Sequence, residues 1–225
     1  MNTVRIWDLP TRLFHWVLVL SVVGLFITGK IGGDAMTWHG RLGYAVLALV
    51  LFRLLWGLIG GRWSRFISFV PTPGRLLRYL RGQALPQDVA GHNPLGAFSV
   101  AALLLVLAAQ VSTGLFADDD IAFTGPLAGT VSGAAVKAAT HYHKGWGQGL
   151  LIALVSLHVL SIIFYALRGK NLLWPMVVGD KQMAPDEAVP PSADGALQRV
   201  LAVAVLALAA AATWWIVTSA PPASY

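Results

Sequence analysis

Histidine is the residue type in this sequence with the widest chemistry. Six are present, namely His15, His39, His92, His141, His143 and His158. The 225 residues contain no cysteine, which excludes disulfides, thiolate-held iron–sulfur clusters and covalently attached c-type haem. A redox group bound by this chain would therefore be held without a covalent link, by His, Met or carboxylate side chains.

The distribution of charge indicates which elements position these histidines. Charged residues make up 12% of the chain, about half of the ~25% usual in a soluble domain. The uncharged runs are each about as long as the roughly 20 residues that a helix needs to cross a bilayer. We predict an all-α integral membrane protein whose five spanning helices lie near residues 12–30, 38–60, 94–117, 145–167 and 197–218.

Orientation follows from the Lys and Arg residues on the two sides of the predicted helices. Eleven lie in segments 1–12, 61–93 and 168–199, and four lie in the segments on the other side. Because cytoplasmic segments carry the excess of Lys and Arg, we place the N-terminus in the cytoplasm and the C-terminus in the periplasm. The same rule explains the net charge of +6, so no nucleic-acid partner is expected.

The chain divides by composition into three parts. Residues 1–181 contain four of the predicted helices and all six histidines. Residues 182–196 form a Pro-rich cytoplasmic linker with Pro185, Pro190 and Pro191, and residues 197–225 form the fifth helix and a short outer tail.

Four histidines fall at two depths in the predicted bundle. His15 is fifteen residues inward of Lys30, and His158 is fourteen residues inward of Lys144. At a rise of about 1.5 Å per residue, these two lie roughly 22 and 21 Å below the outer boundary. His39 and His143 begin the second and fourth helices close to the outer surface. We therefore expect an inner pair, His15 with His158, and an outer pair, His39 with His143.

Rotation about the fourth helix distinguishes two candidates for the outer position. At about 100° per residue, His143 lies roughly 60° from the face that carries His158. His141 lies roughly 100° away from that face. His143 is therefore the favoured outer ligand, and His141 remains the alternative.

Two opposed His pairs in an apolar bundle are typical of two haem groups, each held by two imidazoles. Zinc would require three or four ligands at one level, whereas each level here offers two. A haem with both axial positions filled by protein suits electron transfer better than oxygen binding. The alternative for any one of these histidines is an interhelical hydrogen bond that satisfies a buried imidazole.

Two arginines are candidates for holding haem propionates. Arg53 is the one charged residue between Arg41 and Arg62, about 21 Å deeper than His39 and near the expected inner level. Its alternative role is to extend toward the cytoplasmic headgroups near Arg62. Arg12 is a second candidate at the same side. We expect His92 to be a loop or capping residue at the start of the third helix.

Several stretches of the sequence resemble the bacterial cytochrome b561 family, which includes the b-type cytochrome subunits of nickel–iron hydrogenases. They are VRIWDLPTRLFHW (4–16), WHGRLGY (38–44), FRLLWG (52–57), AGHNPLG (90–96), LHV (157–159) and WPMVVG (174–179). In that family a four-helix core holds two b haems through His on helices 1, 2 and 4. The resemblance implies His15 and His158 for the inner haem, and His39 and His143 for the outer one.

The resemblance also implies a function. We expect a dihaem cytochrome b of the bacterial inner membrane that carries electrons between a periplasmic redox partner and the quinone pool. The periplasmic partner would be a c-type cytochrome or a dehydrogenase subunit. In the family the two ligands on helix 4 are usually fourteen residues apart, whereas His143 and His158 are fifteen apart.

Two other functions remain open from the sequence. One is a stand-alone quinone-linked enzyme such as a superoxide–quinone oxidoreductase, and the other is a non-redox membrane anchor. The sequence contains no phosphate-binding loop, nucleophile elbow or paired acid–base constellation. We therefore expect an electron-transfer component of a membrane oxidoreductase, with no catalytic residues of its own.

Overall fold

The structure is a computed structural model that describes residues 2–121, 123–184 and 187–219. Pro185 of the linker and the outer tail from residue 220 onward lie outside the described residues. The described part of the chain is mostly helical, with two short strands. In chain order the elements are β1 (Asn2–Arg5), α1 (Leu9–Ile31), α2 (Ala35–Ile59), α3 (Phe66–Phe69), α4 (Pro73–Leu80), α5 (Pro86–Val89), α6 (Pro94–Phe116), α7 (Gly133–His141), α8 (Gly147–Leu167), α9 (Leu173–Val178), β2 (Asp180–Met183) and α10 (Ala196–Thr218).

Within the described residues, five helical runs are long and apolar enough to cross a membrane, and they contain α1, α2, α6, α8 and α10. This confirms the predicted fold class, an all-α protein with five candidate spanning helices. Many of their large apolar side chains are exposed, for example Leu20, Leu105 and Val203 at 71%, 70% and 69%. Such a surface would be unfavourable in water and is favourable against lipid. The chain is therefore a multi-pass membrane protein.

The fourth run begins earlier than the sequence predicted. Helix α7 starts at Gly133 and continues through a π-helical turn, Tyr142–Trp146, directly into α8. The hydroxyl of Ser132 caps α7 by accepting a hydrogen bond from the Ala135 amide. His143 therefore lies inside a continuous helical run and not at its first residue.

Strands β1 and β2 form an antiparallel ribbon in which Val4 pairs with Lys181 and Arg5 with Asp180. Two further backbone hydrogen bonds extend the ribbon. In both, the Gly179 carbonyl is the acceptor, and the amides of Ile6 and Trp7 donate to it at 2.9 and 3.0 Å. Gly179 has φ of +95°, a left-handed conformation that favours glycine. The ribbon joins the start of α1 to the segment that follows α9.

The chain forms two compact units. The first contains residues 1–14, 53–103 and 154–205, and the second contains residues 15–52, 104–153 and 206–225. The first unit has a buried core of Ile6, Trp7, Trp63, Ala90, Met183 and Val189. The second unit contains the His39 and His143 side chains, which are described next.

The linker is attached to the first unit through its backbone and side chains. The Ser192 amide donates to the Arg5 carbonyl at 2.7 Å, and the Trp63 indole donates to the Pro190 carbonyl at 2.9 Å. On β2, the Lys181 ammonium donates to the Val89 and Ala90 carbonyls at 2.7 and 3.2 Å. Burial lowers the pKa of Lys181, because it disfavours the charged form.

Candidate functional site

The second unit brings the predicted outer histidines together. His39 extends from α2 and His143 from the π-helical turn before α8. Their ring centroids are 6.1 Å apart, and the ring planes are nearly perpendicular at 84°. Two residues separated by more than 100 positions in the sequence therefore lie beside each other in the structure.

Hydrogen bonds to backbone carbonyls orient both rings. His39 Nδ1 lies 3.1 Å from the Leu25 carbonyl oxygen, and His143 Nδ1 lies 2.8 Å from the Gln110 carbonyl oxygen. A carbonyl oxygen can only accept a hydrogen bond, so Nδ1 of each ring carries the proton. Nε2 of each ring then carries the lone pair, which is the form of imidazole that binds a metal.

The spacing of the two rings fits one metal ion held between them. A metal–imidazole bond is about 2 Å long and the ring centroid lies about 1 Å behind Nε2, so two opposed imidazoles on one metal have centroids roughly 6 Å apart. The observed 6.1 Å agrees with that value. Among the described residues, no group of three His, Asp or Glu side chains forms a metal site of the zinc type.

A cavity of about 340 Å³ lies beside the two rings, within the second unit. Glycines of two helices lie against the rings, because a Cβ at Gly114 would come 2.9 Å from Cε1 of His143 and one at Gly29 would come 3.2 Å from Cε1 of His39. Absence of a side chain at these positions leaves room for the two imidazole rings.

The cavity lining combines apolar and charged side chains. The apolar ones include Phe26, Leu107 and Val111, and the charged ones are Lys30, Lys144, Asp118 and Asp119. The apolar side chains suit a large apolar ring, and the two lysines offer ammonium groups to its anionic substituents. The two imidazoles and the apolar lining together fit a haem.

The structure separates His141 from this cavity. His141 is exposed and lines a different groove of about 320 Å³, together with Gly145, Trp146 and Gly149. The two candidates for the outer position therefore lie on different sides of the helical run.

The predicted inner histidines are placed on the expected helices. His15 lies on α1, where its ring packs edge-on against Trp16 with centroids 5.1 Å apart. His158 lies on α8, and both side chains are half-buried. His15 belongs to the second unit and His158 to the first, and their pairing stays a prediction.

Arg53 is a buried cation in the first unit, with 3% of its surface exposed. Its guanidinium carbon lies 4.7 Å from the centroid of the Phe66 ring, in a cation–π contact. Among the described residues, no hydrogen-bond partner reaches its buried Nη1 atom. A buried N–H donor without an acceptor is costly, so an anionic group such as a haem propionate fits this position.

Arg12 is bound to groups of its own unit. Its Nη1 donates to the Val177 carbonyl at 2.7 Å, and its Nη2 lies 3.8 Å from the Asp194 carboxylate. Its buried Nε has no hydrogen-bond partner among the described residues. The guanidinium keeps one open donor, and its role toward a propionate stays a prediction.

His92 lies in the connection before α6, where the sequence predicted a loop or capping residue. Its ring lies 4.7 Å from the ring of Trp7 and 4.7 Å from that of Phe69. The neighbouring Asn93 caps α6, since its side-chain oxygen accepts from the Gly96 amide at 2.7 Å. The aromatic contacts and the cap indicate that this segment has a structural role.

Sequence reasoning missed Asp8, a fully buried carboxylate at the start of α1. It accepts hydrogen bonds from the Thr11 amide, the Trp56 indole, the Gly61 amide and the Ser64 hydroxyl at 2.6–3.2 Å. These bonds join α1, α2 and the following connection. The signal was available, because Asp directly before Leu9 and Pro10 is a typical N-cap pattern.

Sequence reasoning also missed Gln110, the one amide side chain in the predicted third helix. Its Nε2 donates to the His143 carbonyl at 2.7 Å. A polar side chain within a spanning helix is costly and therefore a candidate for a specific role. That signal was present in the sequence.

Comparison with known proteins adds independent evidence. The family model for prokaryotic cytochrome b561 matches residues 6–179. Two curated relatives are probable Ni/Fe-hydrogenase B-type cytochrome subunits, from Azotobacter chroococcum mcd 1 and Azotobacter vinelandii. They are 25% and 26% identical over 224 residues, which cover 83% of this chain and 91% of each relative. A relative of the same name from Cupriavidus necator is 31% identical over 121 residues, 42% of this chain and 50% of the relative.

No solved structure matches the chain significantly. The match to the family model nevertheless extends from Ile6 to Gly179, the residue after α9, and includes all six histidines. The chain therefore belongs to the prokaryotic cytochrome b561 family, whose members are b-type cytochromes that bind haem b and transfer electrons in membranes.

Proposed function

We propose that this protein is a dihaem cytochrome b that carries electrons across the bacterial inner membrane. His39 and His143 would hold the outer haem, and His15 and His158 the inner one. The observation that carries the proposal is the outer pair, with ring centroids 6.1 Å apart and both Nδ1 atoms bonded to carbonyls. A haem iron, when bound, alternates between ferric and ferrous states and so supplies the electron-transfer chemistry.

The protein's own residues hold and orient the groups. The Leu25 and Gln110 carbonyls fix the proton of each outer imidazole on Nδ1 and keep Nε2 as a ligand. Arg53 would pair with a propionate at the inner level, as its buried and unpartnered Nη1 suggests. Arg12 would do so through Nε.

The proposed organisation has a haem domain in residues 1–181, followed by the linker 182–196 and the additional helix in residues 197–225. The family match supports this division, because it ends at residue 179, before α10 begins at Ala196. We propose that the N-terminus is cytoplasmic, as the excess of Lys and Arg in three of the connecting segments indicates.

The proposed partners follow from the relatives. Those proteins are named as probable Ni/Fe-hydrogenase B-type cytochrome subunits, that is, as subunits that accompany a redox enzyme. We propose that this chain likewise serves a periplasmic redox enzyme or c-type cytochrome and exchanges electrons with the quinone pool. No separate active site is needed in this chain for that role.

Vesicles test the proposal directly. The purified protein is inserted into liposomes that contain trapped ferricyanide, and a membrane-impermeant reductant is added outside. We expect loss of ferricyanide absorbance that depends on the protein and falls to the protein-free rate in His39→Ala. An unchanged rate relative to protein-free liposomes would contradict transmembrane electron transfer. Rapid quinone reduction by superoxide without any protein partner would instead favour the stand-alone enzyme.

A further inference from the structure

Two hydrogen bonds connect Gln110 of α6 to His143 of the π-helical turn. The Gln110 backbone carbonyl accepts from His143 Nδ1 at 2.8 Å, and the Gln110 side-chain amide donates to the His143 backbone carbonyl at 2.7 Å. One residue thus fixes both the ring and the backbone of the other. Gln110 and His143 also line the same cavity.

The π-helical turn determines the direction of the His143 ring. Its defining bond runs from the Gly147 amide to the Tyr142 carbonyl, five residues back, so the turn contains one residue more than an α-helical turn. Leu151 lies eight residues after His143 and lines the same cavity. In an uninterrupted α-helix, two side chains eight residues apart differ by about 80° in rotation about the axis. Because the π-helical turn takes up one extra residue, His143 and Leu151 are related as if they were seven residues apart, and the difference falls to about 20°.

The turn needs support, because a π-helical turn is rare and weakens the regular bonding of its carbonyls. An unsatisfied carbonyl within a membrane is energetically costly. The amide of Gln110 gives the His143 carbonyl a donor from a different helix. Gly147 allows this approach, because a Cβ at position 147 would collide with Gln110 Oε1 and with the Tyr142 ring.

We propose that Gln110 is a positioning residue for the outer haem, which holds the π-helical turn and thereby sets the rotation of the His143 imidazole. This inference rests on the proposed function, since it takes His143 as a haem ligand. It extends that function by assigning a role to a residue that does not itself coordinate a metal.

The first test compares Gln110→Leu with wild-type protein. Gln110→Leu keeps the backbone carbonyl and removes the amide donor. We expect both haems to be retained, the low-spin electron paramagnetic resonance signal of one haem to shift, and that haem to pass to apomyoglobin about 10–100-fold faster. The signal of the other haem serves as an internal control for folding and is expected to stay unchanged.

Gly147→Ala and Gly149→Ala form a matched pair. A methyl group at position 147 displaces the Gln110 side chain, whereas one at position 149 meets no atom within 4 Å. We expect Gly147→Ala to reproduce the shift and the faster haem loss of Gln110→Leu, and Gly149→Ala to match wild type.

Deletion of Gly145 is the second test. This deletion removes no side chain. It takes the extra residue out of the π-helical turn, so that the turn becomes α-helical and α8 keeps its rotation relative to His143. We expect the deletion to keep both haems, and deletion of Ala153 from the regular part of α8 to lose one, since it rotates the flanking residues by about 100°.

The outcomes separate this inference from the proposed function. Two haems in wild type, with unchanged signal and unchanged haem loss in Gln110→Leu and Gly147→Ala, would overturn the role of Gln110 and leave the function intact. Loss of the outer haem on deletion of Gly145 would overturn the register role of the turn. A wild-type protein without haem would instead contradict the proposed function.

Discussion

The backbone of Gly114 lies directly against the imidazole of His143. A methyl group at position 114 would come 2.9 Å from Cε1 and 3.3 Å from Nδ1 of that ring, closer than side chains normally approach. The Nδ1 bond to Gln110 leaves the ring little freedom to move away. Gly114 therefore contributes to the site through the side chain that it lacks.

We expect Gly114→Ala to displace the His143 ring and to weaken binding of the outer haem. The measurement is haem content after purification, together with the absorption spectrum of the reduced protein. The prediction is one haem per chain, or two with one altered in spectrum. Gly149→Ala, which places a methyl group in open space, is the matched control. A Gly114→Ala protein identical to wild type in both measurements would show that the ring can move without consequence.

Replacement of Arg53 by Leu is expected to lower the reduction potential of one haem. A buried positive charge favours the reduced form of a nearby iron, which carries one positive charge less than the oxidised form. A unit charge about 10 Å away, at an effective dielectric constant of about 20, contributes roughly 1.7 kcal/mol or about 70 mV. A redox titration monitored by absorbance measures this shift. Arg53→Lys is expected to recover most of it.

Arg41 gives a control for Arg53, because its guanidinium also lies over an aromatic ring, 4.9 Å from Trp38, and its side chain is exposed. We expect Arg41→Leu to leave both potentials within about 10 mV of wild type, since solvent screens an exposed charge. Equal shifts in the two variants would argue against a specific role of Arg53 beside a propionate.

Asp8 is expected to be important for stability. Its carboxylate accepts four hydrogen bonds in a fully buried position. In Asp8→Asn, one of the two accepting oxygens is replaced by an NH2 group, which cannot accept from these donors. We expect a loss of about 3 kcal/mol in the free energy of unfolding. Thermal unfolding in detergent, followed by haem absorbance, measures the change. The exposed Asp34→Asn is the control, and equal melting temperatures for the two variants would contradict the role of Asp8.

The orientation can be tested with single cysteines, because the sequence contains none. Ala134 lies in α7 and Gln83 in the connection after α4, and both are exposed. In intact spheroplasts we expect a membrane-impermeant maleimide to label Ala134→Cys and to leave Gln83→Cys unlabelled until the membrane is opened. The reverse pattern would place the N-terminus in the periplasm.

The sequence predicted the five spanning helices, because long uncharged runs depend on composition alone. It also predicted that His39 and His143 would lie at one depth, since that depends only on distance from the helix ends. These features follow from local patterns. The predicted bounds differed most for the fourth helix, which was expected from residue 145 because the uncharged run begins after Lys144. In the structure the Ala-rich segment after Ser132 is already helical.

Features that depend on distant contacts could not be predicted in the same way. The ribbon pairs residues 2–5 with 180–183, and each strand has only four residues, too few for a recognisable alternation. The π-helical turn was not expected either, because the rotation of His143 had been calculated for a regular α-helix. The support that Gln110 and Gly147 give to this turn comes from packing between α6 and the helical run.

The most direct measurement is haem content by the pyridine haemochrome method, in wild type and in variants of the outer histidines. We predict two b haems per chain in wild type, two in His141→Ala, and one each in His39→Ala and His143→Ala. A wild-type protein without haem from haem-replete cells, or loss of a haem in His141→Ala with none lost in His143→Ala, would contradict the account.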